Sequence, residues 1–104
     1  MNHVNLIGKM CSIPKIMELP NGKRVAKFTL STKETYFNEE GETKNKSQWH
    51  QLTAWGKWVQ VLEQLNTENA NLAIEGKLIS RFYTNNGKRK LVSEVEINDM
   101  IFLA

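Results

Sequence analysis

The sequence contains a single cysteine and a single aspartate, and each scarcity excludes a class of function. Cys11 has no second cysteine with which to form a disulfide, so a cytosolic location is the default expectation. Asp99 is the only aspartate, and no paired carboxylates share an inward face, so the sequence offers no acid–base pair for hydrolysis. It also lacks a glycine-rich loop for phosphoryl transfer. The two histidines, His3 and His50, stand far from one another in sequence, which argues against a zinc site. We therefore expect no enzyme activity, no metal and no cofactor.

Long apolar runs are missing as well. No stretch approaches the roughly 18 apolar residues of a membrane-spanning helix, and the first residues lack the basic and apolar regions of a secretory signal. The length of 104 residues predicts one domain over residues 1–104. A net charge of +3 is mildly basic, which permits a nucleic-acid partner without requiring one.

Turn signals divide the chain into strand-like segments. Segments 20–22 (PNG) and 85–87 (NNG) are hairpin markers, because asparagine and glycine accept positive φ angles. Alternating apolar and polar residues predict half-buried antiparallel strands over about residues 3–11, 24–36, 49–55, 72–83 and 89–102. In the last two strands the alternation places Leu78 and Leu91 on the inward side.

One amphipathic helix is predicted between the third and fourth strands, over residues 57–65. Its apolar side chains recur at the spacing of one helix face: Trp58, Val61, Leu62 and Leu65. Five strands with a helix after the third is the arrangement of an OB-fold. The predicted fold class is therefore all-β with one short helix, a five-stranded Greek-key barrel.

The third strand carries two tryptophans on a side that is otherwise polar. Strand alternation places Trp49, Gln51, Thr53 and Trp55 together on that side. Large rings among polar neighbours suit the stacking of unpaired bases, although core packing is the alternative role for any tryptophan. His50 lies on the opposite side, which points to packing or a subunit contact.

Several short segments together resemble the bacterial single-stranded DNA-binding protein family. They are 5–8 (NLIG), 20–22 (PNG) followed by 25–32 (VAKFTLST), 48–50 (QWH) followed by 55–57 (WGK), and 74–78 (IEGKL). The similarity runs from about residue 3 to residue 103, and the segments occur in the right order with matching gaps. The resemblance implies that the chain binds single-stranded DNA without strong sequence preference, in replication, recombination or repair.

The resemblance also assigns roles to individual residues. The positions that match the family's base-stacking rings, expected on one face of the barrel, are Tyr36, Trp49, Trp55 and Tyr83. Strand alternation, rather than the resemblance, selects the basic residues expected to hold phosphates, which lie on outward strand positions or in the last hairpin and are otherwise solvated surface charges: Lys27, Lys33, Lys77, Arg81, Lys88, Arg89 and Lys90. Phe82 stands where the family often has a basic residue, and Phe37 is either a further stacking ring or a local packing ring.

The family's assembly is a further implication. The resemblance implies a homotetramer, built from dimers whose first strands pair edge to edge, located in the cytoplasm on the nucleoid. The family usually continues into a flexible tail whose acidic end recruits other proteins. This sequence stops at residues 101–104 (IFLA), so it is either a shortened form or a relative without the tail, and we expect no recruitment by that route from residues 1–104. A dimeric primosomal accessory protein of the same fold and an OB-fold protein-interaction scaffold are the alternatives. RNA binding and the number of nucleotides bound stay open.

Overall fold

The computed structural model describes residues 2–64 and 69–103. In chain order the elements are β1 (Val4–Met10), β2 (Lys15–Glu18), β3 (Arg24–Phe37), β4 (Thr43–Trp55), α1 (Lys57–Gln64), β5 (Asn71–Asn85) and β6 (Lys88–Leu103). The OB-fold prediction is confirmed, since β1, β3, β4, β5 and β6 are the five expected strands and α1 stands after the third of them. Leu65, the last residue expected in the helix, lies outside the described residues. Within the described ranges no helix has the length and apolarity to cross a membrane.

The five strands close into a barrel in the order β1–β5–β6–β4–β3 and back to β1. Long antiparallel ladders join β3 to β4 and β5 to β6. Two short seams complete the ring. In one, two residue pairs that include Met10 and Leu30 join β1 to β3; in the other, two pairs that include Leu52 and Val95 join β4 to β6 in parallel.

Two glycines allow the barrel strands to approach closely. A Cβ atom at Gly8 would lie 2.1 Å from the backbone oxygen of Ser31, and one at Gly76 would lie 2.2 Å from that of Glu96. No side chain fits at such distances, so glycine is required where another backbone passes this near. Gly76 also adjoins a shift in the β5–β6 register, where β6 contains one additional residue.

The core fills the inside of the barrel and the contact with α1. Its buried members are Met10, Ala26, Phe28, Leu30, Leu52, Ala54, Val59, Leu62, Leu72, Ile74, Val95, Ile97 and Met100. Trp58 packs against this core in a partly buried position, as its place on the apolar helix face predicts. His50 also points inward, half-buried, with its Nε2 atom 3.0 Å from the hydroxyl oxygen of Thr32. This contact fits the packing role expected for His50.

The structure contains one strand that the sequence pattern does not predict. β2 pairs with the first part of β3 around the turn at residues 20–22, where Gly22 has a φ angle of 84°. With four residues, β2 is too short for alternation to be distinguished from irregular structure. It extends the sheet at the edge of β3 that does not pair with β4.

Two hairpins project beyond the barrel. Residues 33–37 and 43–47 are exposed on both sides of the ribbon, and so are residues 80–85 and 88–91. We call residues 33–47 the β3–β4 arm and residues 80–91 the β5–β6 arm. The radius of gyration is 15.7 Å, against about 13 Å for a compact domain of ~100 residues, which agrees with projecting arms.

The expectation that Leu78 and Leu91 face the core is wrong. Their side chains are 48% and 56% exposed. The reason is that the pairing of β1 with β5 ends at Val4 and Gly76, so that beyond this point the inward side of β5 is no longer covered by β1. The side chains of β5 continue to alternate beyond Gly76, but the strand has by then left the closed barrel.

Candidate nucleic-acid interface

The strand register places both tryptophans on one outer side of the β3–β4 sheet. Trp49 lies directly opposite Ser31, and directly opposed residues share a side. Lys27, Lys33 and Trp55 have the same alternation and lie on this side too. Trp49 is 66% exposed and Trp55 is half-buried. A core role for Trp49 is therefore excluded, and its ring faces outward from the barrel.

Contacts across the barrel bring Tyr83 to the same side. The Tyr83 hydroxyl accepts a hydrogen bond from Lys27 Nζ at 3.0 Å and donates one to Glu94 Oε1 at 2.7 Å. The other oxygen of that carboxylate, Oε2, accepts a hydrogen bond from the Thr53 hydroxyl at 2.7 Å. One network thus links β3, β4, β5 and β6 beside the tryptophans.

These side chains border an open groove, and we call this side of the molecule the groove face. The groove is lined by Met17, Leu19, Val25, Lys27, Thr53, Trp55, Arg81, Phe82 and Tyr83. Its walls are apolar and aromatic, while its polar groups belong to the network around Glu94. A shallow apolar channel with aromatic rings and a few fixed polar groups matches the face of an unpaired base, which is flat and uncharged.

Glu94 is a buried carboxylate, 5% exposed, whose partners Thr53 and Tyr83 line this groove. Its oxygens also lie 3.4 Å from Lys27 Nζ and 3.9 Å from Arg81 Nε. Burial raises the pKa of the Glu94 carboxyl, but the hydrogen bonds from Thr53 and Tyr83 and the charge of Lys27 outweigh it, so the pKa lies below its ordinary value. The carboxylate is therefore charged at neutral pH.

Lys27 shows the complementary balance. Burial lowers the pKa of its ammonium group. The hydrogen bond to Tyr83 and the charge of Glu94 together raise this pKa by more than burial lowers it, so the net pKa lies above its ordinary value. Lys27 and Glu94 are thus a charged pair whose partners stabilise each other.

The basic residues predicted to hold phosphates fall into two groups. Lys27 and Arg81 pair with Glu94, and Lys77 Nζ lies 3.8 Å from a carboxylate oxygen of Glu96. Within the described parts of the chain, the members without a carboxylate partner are Lys33, Lys88, Arg89 and Lys90. The positive charges of the second group are therefore available to bind a phosphate.

The β5–β6 arm carries most of these unpaired cations, on its two sides. Lys90 lies directly opposite Tyr83, so it shares the groove face. Arg89 lies on the other side of the arm, where its guanidinium carbon is 4.3 Å from the centroid of the Phe82 ring. Both residues are predicted to hold phosphates, whereas the register places Lys90, and not Arg89, beside Tyr83.

Tyr36 does not lie on the groove face, and the expectation of four rings on one face is corrected. It opposes Lys44 in an unbroken register and shares the alternation of Leu30, so it occupies the other side of the β3–β4 arm. Phe37 has the alternation of Trp49 and is 74% exposed. Of the two adjacent rings, Phe37 is therefore the one that continues the tryptophan side.

Sequence reasoning missed Glu94 as a member of the site. A signal existed, because Glu94 and Glu96 flank buried Val95 on the outward side of β6. Their carboxylates therefore had to face the same way as the basic residues of the neighbouring strand. The distances between these groups, however, depend on how four strands curve past one another, and alternation does not report curvature.

Comparison with known proteins agrees with this geometry. The model of the single-strand binding protein family matches residues 1–103. Single-stranded DNA-binding protein 1 of Chlorobaculum tepidum is 32% identical over 105 residues, which cover 99% of this chain and 65% of that protein. The chain thus spans a little less than two thirds of that relative's length.

Solved structures give the same match. The Plasmodium falciparum SSB in complex with ssDNA has a TM-score of 0.90 at 28% identity, covering 100% of this chain and 96% of that one. A deletion mutant of the single-stranded DNA binding protein from Thermus aquaticus has a TM-score of 0.89 at 21% identity, covering 100% of this chain and 51% of that one. The second likeness supports the fold alone.

Proposed function

Because the chain belongs to the single-strand binding protein family, we propose that it binds single-stranded DNA without strong sequence preference, in replication, recombination or repair. The observation that carries the proposal is the groove face, where Trp49, Trp55 and Tyr83 lie beside cations of the β5–β6 arm. Residues 1–104 act in it as one domain, in the cytoplasm on the nucleoid. The protein binds and releases the strand without changing it chemically.

Binding rests on two kinds of contact. The exposed ring of Trp49 and the half-buried ring of Trp55 stack on bases, each stack contributing roughly 1–3 kcal/mol. Lys33, Lys88 and Lys90 neutralise phosphates and release counterions. A base held on a ring cannot pair at the same time with its complement, so the bound strand stays open.

The test is a titration with oligo(dT) followed by tryptophan fluorescence at low and at high salt. Stacking on Trp49 and Trp55 predicts strong quenching, and phosphate contacts predict that affinity falls as salt rises. A duplex of the same length is the matched control and should quench weakly. Absence of both quenching and binding, the latter checked by a label-free method, would remove the proposal.

We propose in addition that the protein is a homotetramer, with a dimer as the alternative. On the outer side of the β1–β5–β6 sheet, Ile7, Ala73 and Ile101 stand in one cross-strand row. Ile7 and Ile101 are 71% and 59% exposed, and contiguous apolar exposure of this kind marks association surfaces. Residues 4–8 of β1 pair only with β5 among the described residues, which leaves an edge for a second copy.

Sedimentation equilibrium separates these assemblies. A tetramer that Ile7→Lys or Ile101→Lys reduces to smaller species supports the proposed surface. A stable dimer would instead favour the primosomal accessory protein, and a monomer that binds no oligo(dT) would favour the scaffold.

A further inference from the structure

We propose that Glu94 is a positioning residue of the groove face, which reserves the centre of the groove for a base and keeps phosphates away from it. The inference rests on the proposed binding of single-stranded DNA. It concerns a residue whose negative charge has the same sign as that of the ligand, and whose side-chain contacts join four strands of the barrel.

Both oxygens of Glu94 are fully engaged by its neighbours. Oε1 accepts from Tyr83 at 2.7 Å and from Lys27 at 3.4 Å, and Oε2 accepts from Thr53 at 2.7 Å with Arg81 Nε 3.9 Å away. A carboxylate this buried is stable only while its cationic partners stay in place. Lys27 and Arg81 therefore cannot move to a phosphate without leaving Glu94 uncompensated.

Glu94 also reduces what the groove offers to a phosphate. Its charge offsets the charges of Lys27 and Arg81, so a phosphate in the groove finds these cations already paired. A neutral base needs no cation. The groove thus accepts bases at its centre, and phosphates are directed to its margins, where Lys33, Lys88 and Lys90 have no carboxylate partner among the described residues.

The same network fixes the ring of Tyr83. Its hydroxyl accepts from Lys27 and donates to Glu94, so the position of the ring plane is set before a strand arrives. The residue remains 38% exposed. A ring held in advance loses less conformational freedom on stacking than a mobile one, which gives Glu94 a second, attractive effect on base binding.

The salt dependence of oligo(dT) binding tests the proposal, because its slope counts phosphate contacts at about 0.7 per contact for single strands. In Glu94→Gln, Lys27 and Arg81 become available, and we expect the slope to steepen by up to about 1.4. The triple variant Glu94→Gln, Lys27→Ala, Arg81→Ala should return to the wild-type slope. Glu39→Gln, the same charge change in the β3–β4 arm, is the matched control and should leave the slope within about 0.3 of wild type.

A second variant covers the case in which Glu94→Gln does not fold, as judged by circular dichroism and oligomer mass. Arg81→Ala in the wild-type background leaves Lys27 in place beside Glu94, and it should keep the slope because Arg81 is already paired. The proposal is overturned if Arg81→Ala lowers the slope by about 0.7, or if folded Glu94→Gln keeps the wild-type slope. Failure of the wild-type protein to bind oligo(dT) would instead remove the proposed function itself, and this inference with it.

Discussion

The two arms have the same architecture and opposite electrostatic character. Each is a two-stranded hairpin that leaves the barrel and is exposed on both sides. The β3–β4 arm contains three lysines and four glutamates, whereas the β5–β6 arm contains four basic residues and no acidic one. At physiological ionic strength such differences act over about 8 Å, so each arm presents its own charge to a passing strand.

This difference assigns the two expected tasks, base stacking and phosphate binding, mainly to different hairpins. The β3–β4 sheet contributes rings, namely Trp49 near the base of its arm and Phe37 farther out on the same side. The β5–β6 arm contributes charge, with Lys88 and Lys90 on the side of Tyr83. Under the proposed function, a strand that uses both would lie across the groove, with bases toward one hairpin and phosphates toward the other.

The largest effect should come from removing the charge of the β5–β6 arm. For Lys88→Ala, Arg89→Ala, Lys90→Ala combined, we expect an affinity loss on the order of a hundredfold at low salt. The salt slope should become smaller by about 1.4, because Lys88 and Lys90 share the groove face and Arg89 does not. The matched variant in the other arm, Lys44→Ala with Lys46→Ala, should cost less than about threefold, because nearby glutamates already offset those charges. Equal losses of affinity for the two arm variants would show that the charge difference between the arms does not govern binding.

The next effect should be that of the exposed tryptophan. Trp49→Ala removes one stacking ring and should weaken oligo(dT) binding by about 1–3 kcal/mol. Since the ring is 66% exposed, the melting temperature should stay near the wild-type value. Trp55→Ala, at a half-buried position, should lower both affinity and melting temperature. Unfolding of Trp49→Ala would show that its ring supports the barrel after all.

A smaller difference is expected between the adjacent rings of the β3–β4 arm. Phe37 shares the side of Trp49, while Tyr36 faces away. Phe37→Ala should therefore weaken the binding of a short oligo(dT), long enough only to cross the groove, by a fewfold, and Tyr36→Ala should not. Fluorescence titration of both variants with the same oligonucleotide makes the comparison, and a larger loss for Tyr36→Ala would contradict the register argument.

The smallest effect should follow from neutralising the acidic loop. Glu39→Gln, Glu40→Gln and Glu42→Gln together should tighten binding by about two- to threefold at low salt, because solvent-exposed charges interact weakly and are screened. The gain should vanish at high salt. A gain that persists there would point to a direct contact between this loop and the strand.

Much of the barrel could be predicted because its strands are long and alternate regularly. Phe28 and Leu30 mark the inward side of β3 without ambiguity, and the helix face of Trp58 and Leu62 follows the 3.6-residue period. β2 was missed because four residues carry too little pattern. Leu78 and Leu91 were misplaced because the length of a neighbouring strand decides where burial ends, and alternation is blind to that length.

The candidate site was less predictable, for two different physical reasons. The side of Tyr36 was readable in principle, since its alternation matches that of Phe28 and Leu30, but the resemblance to a family placed all four rings together. The pairing of Lys27 with Glu94 was not readable, because it joins residues 67 positions apart through the curvature of the barrel. Charge in the sequence thus overstates the charge available to a ligand.

The two short seams of the barrel have a mechanical consequence. Each seam contains two residue pairs, whereas the ladder between β3 and β4 contains thirteen. In backbone pairing the molecule therefore consists of two half-shells, β2–β3–β4 and β1–β5–β6, which few backbone pairs join and which the side chains around Glu94 also connect. The amides at these seams should exchange with solvent before those of the long ladders. Under the proposed function, a strand that contacts both Trp49 on one half-shell and Lys90 on the other would slow the exchange of these seam amides.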